Sequence, residues 1–343
     1  MAYANVLVLD RAQAKIEGTR GTAESTMTRW LVYPNGRLTW TYEAEEGITP
    51  ETLRSFHATD NDSISVGISR SRINLETYFC YDEGIWYLQS ALDGNNRTGS
   101  AVGSTPETYT YTLTPSSATD DLDTFSLKAG DGSVAYKFDR CVINRITLRA
   151  NPAMGGDQYW MASMEIFCRF RGTTSFDSPS DISRKKIVAK GTKLYIDTLG
   201  GTAGSTQITG RLRSFSLTID NQIEEKIFME DTDYVSGDFA RGEQLITWEM
   251  ALEHTSDDQA AIARAGTAQI FRILKEGDTI GATPTTKDTL RITMPVGRYI
   301  PRLAPSFQGQ NRIMTMSGRA LRNSSNAVPI EFYFTNLKSS ITA

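Results

Sequence analysis

LTWTYEAEEGI at Leu38–Ile48 and LTIDNQIEEKI at Leu217–Ile227 decide how this chain is read. Leu38, Thr39, Glu45, Glu46 and Ile48 recur as Leu217, Thr218, Glu224, Glu225 and Ile227 at one common offset. A second block follows in order: Leu75, Glu76, Ile85 and Ala91 recur as Leu252, Glu253, Ile262 and Ala268. In a third, Arg145, Arg149, Pro152, Gly156 and Met161 recur as Arg298, Arg302, Pro305, Gly309 and Met314. The offset shrinks from block to block, as it does when loops shorten between copies. Ungapped blocks kept in one order point to a tandem duplication. A duplicated chain carries two quasi-equivalent building units, which suits it to closed rings.

Outward from these blocks, alternation of period two dominates. Trp160, Ala162, Met164, Ile166, Cys168 and Phe170 alternate with Ser163, Glu165 and Arg169, the mark of a strand with one dry face and one wet face. Ile246, Trp248, Met250 and Leu252 repeat the pattern against Thr247 and Glu249, and Leu290, Ile292, Met294 and Val296 repeat it again. Phe125–Leu148 reads as a hairpin broken at Gly130-Asp131-Gly132, and Val328–Phe334 as a last strand. Each half offers one helix. In the first it is Asp82–Leu92, with Ile85, Leu88 and Leu92 on one face. In the second, Ser256 and Gln259 resemble a capping box ahead of Ala260–Ala265, and Gly266 supplies the stop.

The resulting expectation is a mainly β chain with minor α: two tandem antiparallel β-sandwich or barrel domains, each with one flanking helix. The boundaries are residues 1–172 for the first copy, 173–186 for a polar linker with Pro179, and 187–343 for the second copy. In each half a long acidic segment joins two strands, about Glu43–Ser63 and about Asn221–Glu243. Long loops in a compact β domain are usually functional.

Of the 343 residues 39% are hydrophobic and 22% charged, which is globular composition. A net charge of −4 argues against a protein that grips nucleic acid, because phosphate calls for clustered Lys and Arg. It leaves room for one that lets nucleic acid slide past. Met1–Asp10 lacks a basic stretch ahead of its short apolar run and does not read as a signal peptide. No run of about 18 apolar residues predicts a membrane span. The three cysteines, Cys80, Cys141 and Cys168, are odd in number and widely spaced, which fits reduced thiols.

Little in the sequence points to catalysis. Only His57 and His254 titrate near neutrality, and neither has a nucleophile motif beside it. Asp120, Asp121 and Asp123 lack the glycine and closing glutamate of a calcium loop. Gly200–Ser205 is glycine-rich but has no Lys to complete a phosphate loop. No enzyme activity, metal or cofactor is expected. The recurring Glu45-Glu46 and Glu224-Glu225 pairs read either as a solvated acidic face or, in a symmetric ring, as a band of negative charge lining a channel.

Several stretches resemble the tail tube (major tail) proteins of long, non-contractile-tailed bacteriophages. They are the opening Lys15–Ala23, the stretch Arg211–Asn221, the strand ending in Leu252-Glu253 with the helix after it, and the closing run Arg298–Leu321. The resemblance spans nearly the whole chain by pattern. It implies packed antiparallel sheets with a flanking helix, and hexameric rings stacked into a hollow tube that conducts DNA without binding it specifically. A duplicated chain implies a homotrimer with six pseudo-equivalent domains. The partners implied are further copies of the chain and the tape measure, tail terminator and distal tail proteins. The location implied is the virion tail, assembled in the host cytoplasm. It also implies that the two acidic loops reach a neighbouring ring, through Glu43, Asp60 and Asp62 in one copy and Glu230, Asp231 and Asp233 in the other.

Two other readings stand beside it. In one, a tandem β-sandwich binds carbohydrate or a cell surface, with Trp30, Trp40, Trp86, Trp160 and Trp248 as stacking platforms. The other is a tail component that stops at a single ring.

Overall fold

The structure, a computed structural model, describes the whole chain except residues 1–2, 35–36, 49–63, 93–98, 102–107, 116–122, 132–133, 153–157, 180–183, 227–237, 256–257, 282–285, 309–310, 323–327 and 341–343. The first elements are β1 (Tyr3–Val8), β2 (Arg11–Ile16), β3 (Arg29–Trp30), β4 (Leu38–Ile48), β5 (Ile64–Tyr78) and α1 (Gly84–Leu92). There follow β6 (Ser100–Ala101), β7 (Tyr109–Leu113), β8 (Phe125–Asp131), β9 (Val134–Ala150) and β10 (Met161–Thr174). The second part holds β11 (Lys193–Thr198), β12 (Leu212–Asp220), β13 (Glu224–Lys226), β14 (Asp238–Ala240), β15 (Leu245–Glu253) and α2 (Asp258–Ala265). It closes with β16 (Gln269–Thr279), β17 (Lys287–Gln308), β18 (Asn311–Ala320) and β19 (Glu331–Asn336).

The protein is therefore mainly β, with a large antiparallel sheet and two helices among the described residues. The expected strands and hairpin are present, with β17 much longer than its alternating stretch suggested. Neither helix is long and apolar enough to cross a membrane.

Strand pairings recur along the chain. β4, β5, β10 and β9 lie side by side in that order, and so do β12, β15, β18 and β17. β2–β8–β9 is likewise matched by β11–β16–β17. In both sets the helix follows the second strand. The ladders adjust one sequence match. Leu38 faces Leu75, but Leu217 faces Trp248 and not Leu252. The second block is thus slipped by four residues. An even slip keeps every side chain on its face, so the alternation alone cannot reveal it.

One continuous apolar core underlies the sheet, with Trp40, Ile73, Met164, Leu148, Leu217, Trp248 and Met316 all in it. The Trp248 ring centroid lies 4.6 Å from that of Phe271, tilted, and 5.1 Å from that of Tyr299, edge-on. A Cβ at Gly318 would sit 2.1 Å from the Trp248 ring, so only glycine lets β18 pass over it. Four of the five tryptophans are at least nine-tenths buried, which leaves Trp30 as the one half-buried ring. Buried rings pack and do not stack on a ligand, which removes most of the platforms of the carbohydrate reading.

α1 starts at Gly84, and all nine of its residues are buried, not one face only. α2 buries only Gln259, Ala260 and Ala263. Asp258 in its first turn and Arg264 in its last suit the helix dipole, and Gly266 ends it at φ +62°. Ser256 of the expected cap lies outside the described residues. Gln259 accepts the Tyr299 hydroxyl at 2.9 Å.

The described parts of 173–186 dock mainly on the first half, with Lys185 reaching Asp288 of the second at 2.9 Å. Lys128 Nζ and the Met27 amide, both at 2.7 Å, donate to the Asp177 carboxylate, and Arg184 Nε donates to Glu83 at 2.7 Å.

Candidate functional site

The sheet does not part between the two halves. β9 pairs with β12 through six residue pairs, Arg145↔Asp220 to Ala150↔Phe215. β1, β4, β5, β10, β9, β12, β15, β18 and β17 thus run on as neighbours, each antiparallel to the next. One face of this run is the apolar core. The other is polar over the middle of the run, where Thr, Ser, Asn and charged residues alternate with the core residues of β4, β5, β12 and β15.

Cross-strand rows make that polar face concrete. Glu76, Ser163, Thr147, Thr218, Thr247 and Arg319 stand opposite one another from β5 to β18. Thr39, Asn74, Glu165, Arg145 and Asp220 form a second row, and Arg149, Ser216, Glu249 and Ser317 a third. The Thr147 and Thr218 hydroxyls are 3.0 Å apart across the join between the halves.

Charges on and beside this face are largely compensated. Arg145 Nη2 lies 2.7 Å from Asp220, Arg37 2.5 Å from Glu76, and Arg72 4.0 Å from Glu165, while Arg213 pairs with Glu253. The hydrogen bonds that Arg145 donates to Asp220 raise the pKa of its guanidinium above the ordinary value. Exposed pairs of this kind contribute little to stability, about 0–1 kcal/mol each. Their effect is electrostatic: paired opposite signs weaken the field that would hold a polyanion.

A segment of the second half closes over the first. Asn221, fully buried, donates from Nδ2 to the carbonyls of Ala91 at 2.8 Å and Ile143 at 3.0 Å. Its own amide donates to Asn144 O at 2.8 Å, and Gln244 Nε2 reaches Asn221 Oδ1 at 2.7 Å. Gln222 adopts φ +47° and turns the chain away from the ladder into the β13–β14 ribbon. There Ile223 and Phe239 cover Val142 and Phe167 as a small separate core.

The expected site residues fall as follows. Glu43 sits on β4 opposite Arg70, and Glu45 and Glu46 are near the far end of that strand. Glu224 is exposed on β13. Glu225 lies 3.1 Å from Arg70 Nε, too poorly aligned for a hydrogen bond at Oε2. Burial raises its carboxyl above the ordinary 4.5, against the pull of Arg70 and Arg72. Asp60, Asp62, Glu230, Asp231, Asp233 and His57 lie outside the described residues. His254 is half-buried, its amide donating to Arg312 O at 2.9 Å. Asp123 accepts from Gln89 and holds α1. Among the described residues, no three His, Cys, Asp or Glu side chains gather as a metal site.

The sequence reading missed Arg145, Asp220 and Asn221, which make the join. The only local signal for the join is the polar stretch Asp220-Asn221-Gln222 closing an alternating strand.

No protein-family model matches the chain, and no curated protein matches it either.

Proposed function

We propose that the chain is a structural subunit that closes with further copies into a ring, and that such rings stack into a hollow tube of the kind found in long, non-contractile phage tails. The observation that carries this reading is the β9–β12 ladder. It joins the two halves edge to edge, so the sheet continues with one polar, charge-compensated face and still ends in strands. A sheet that can be extended at its ends, with one face polar over most of its strands, is material for a barrel closed by several copies.

In this reading the polar face lines the lumen, and DNA passes it without being held. Three chains supply six pseudo-equivalent units, as the recurring pairings and sequence blocks suggest. The chain's partners are then its own copies and the proteins at either end of a tail, and its place is the virion. It works as scaffold and not as catalyst.

The test is negative-stain electron microscopy with light scattering across a concentration series. Stacked rings with a central hole and three-fold symmetry are expected. Discrete single rings point to a tail-end component, and monomers at every concentration overturn the reading.

A further inference from the structure

Resting on that ring reading, we infer that β1 is a displaceable plug. In the lone chain it occupies the edge of β4 that β17 of a neighbouring copy takes in the ring.

The join inside the chain provides the template. On one side of it, β9 offers its edge at Arg145–Ala150 and α1 offers its C-terminal end. On the other side, β12 takes the β9 edge, and Asn221 with Gln244 covers Ala91 of α1. The counterparts of β9 and α1 are β17 and α2, and both are open. Beyond Gly297, β17 pairs with β18 on one edge and has no partner on the other among the described residues. Ile300 and Phe307 on this stretch are 36% and 77% exposed, and most of α2 is uncovered. Large apolar side chains exposed along an unpaired strand mark an interface.

The counterpart of β12 is β4, and its edge is filled. β1 lies on it from Val8↔Thr39 to Tyr3↔Ala44. Placing β4 on β12 and β17 on β9 puts Arg298 opposite Thr41 and Tyr299 opposite Trp40. An incoming β17 and the resident β1 therefore compete for Thr39–Thr41. Direction excludes the simpler arrangement in which β17 adds outside β1. Along the nine alternating strands β1 and β17 point the same way, so they would pair in parallel, unlike every other neighbour. β17 meets β4 antiparallel, as β9 meets β12.

The second half shows where such an arm goes. The segment ahead of β11, counterpart of β1, leaves β12 alone and bonds to the first half instead. Ile187 N donates to Phe79 O at 2.9 Å, and Trp160 N to Ile187 O at 2.7 Å. The exchange gives up the six β1–β4 pairs for a shorter ladder. Pro301 has no N–H where Leu148 faces Leu217, and a bulge lies between Tyr299 and Leu303, so the ladder between chains is shorter than the inner one. Covering Ile300, Phe307 and α2 tips it.

Disulfide locking tests this. Val6 and Thr41 are opposite one another in the β1–β4 ladder. The double variant Val6→Cys/Thr41→Cys is expected to form no rings when oxidised and to recover the wild-type yield when reduced. In a second sample, chains carrying Thr41→Cys are mixed with chains carrying Arg298→Cys, assembled and oxidised, and are expected to give disulfide-linked pairs of chains on a non-reducing gel. Rings from the oxidised lock, or assembled rings without the Thr41–Arg298 cross-link, overturn the plug while leaving the ring reading intact. If wild-type and reduced protein both stay monomeric at every concentration, the ring reading falls and the plug with it.

Discussion

α1 and α2 follow the same strand in two sets of pairings, yet their surroundings differ. All nine residues of α1 are buried, and only three of α2. Composition follows the difference, since α1 reads GIWYLQSAL and α2 DQAAIARA. Most of α1 is buried by its own half, where Trp86 packs on Phe125 and Gln89 and Ser90 bond to Asp123, and the other half closes its C-terminal end through Asn221 and Gln244 at Ala91. The strands before the helices repeat the contrast. The β4–β5 ladder continues past a bulge between Ala44 and Glu46 to Ile48↔Ile64, while the β12–β15 ladder stops at Asp220↔Leu245 where the chain turns onto its neighbour. Where the two halves meet, the chain is folded against itself, whereas α2 and the β17 edge beyond Gly297 stay open.

The sharpest way to break this comparison is a charge in each helix. Ala91 is fully buried and Ala261 is exposed. Ala91→Glu buries an unpaired carboxylate and is expected to cost about 4 kcal/mol or more, enough to leave little soluble protein. Ala261→Glu is expected to stay within about 0.5 kcal/mol of wild type in urea unfolding. If a neighbouring copy covers α2 in a ring, as proposed, the same Ala261→Glu protein assembles poorly. A folded Ala261→Glu that builds rings normally removes α2 from the interface.

Next in size is the hinge of the ribbon. Asn221→Leu strands the buried Ala91 and Ile143 carbonyls and is expected to cost about 2–4 kcal/mol by urea unfolding. Tyr42, which occupies the matching place on β4 and only packs against Trp40 and Phe170, is expected to tolerate Tyr42→Phe within about 0.5 kcal/mol. Equal losses at the two positions would show that the ribbon does not depend on its neighbour.

Much of this architecture is legible in the residues. Period-two alternation marks β10, β15 and the first part of β17 because one face of each is dry. Gly266 marks the end of α2. What local pattern cannot carry is the choice of partner. β7 belongs to the first half in sequence yet pairs with β19 at the end of the second, and nothing in YTYTL names that partner. Arg145 and Asp220 meet across the join although each reads locally as an exposed charge. The acidic pairs show the same limit. Glu224 and Glu225 look equivalent in sequence, but the ribbon leaves the first in solvent and tucks the second against Arg70.

The polar face can be unbalanced on purpose. Asp220→Asn with Glu165→Gln removes the partners of Arg145 and Arg72 and leaves the strands otherwise unchanged. Stability is expected to fall by about 1 kcal/mol or less. Retention of duplex DNA in a gel-shift assay at low salt is expected to appear in the double variant and to vanish as salt is raised, while wild type shows none. Equal retention by both proteins would mean that charge balance does not keep the face from holding a polyanion.

The smallest expected effect separates Glu224 from Glu225. Burial raises the Glu225 carboxyl above 4.5, so the folded chain holds that proton more tightly than the unfolded chain does. The stabilisation this gives is present at low pH and is lost as pH rises through the raised value. Glu225→Gln is a fixed copy of the protonated side chain and lacks that slope. Its stability relative to wild type is therefore expected to improve between pH 4 and pH 7, by about 1 kcal/mol or less. Glu224→Gln, at an exposed position, is expected to track wild type across the range. Urea unfolding of the three proteins at both pH values decides it. If Glu225→Gln loses ground toward pH 7, the ion pair with Arg70 outweighs burial. The ribbon would then be held to the first half by charge, and the difference between the two glutamates would lie in their partner and not in their solvent.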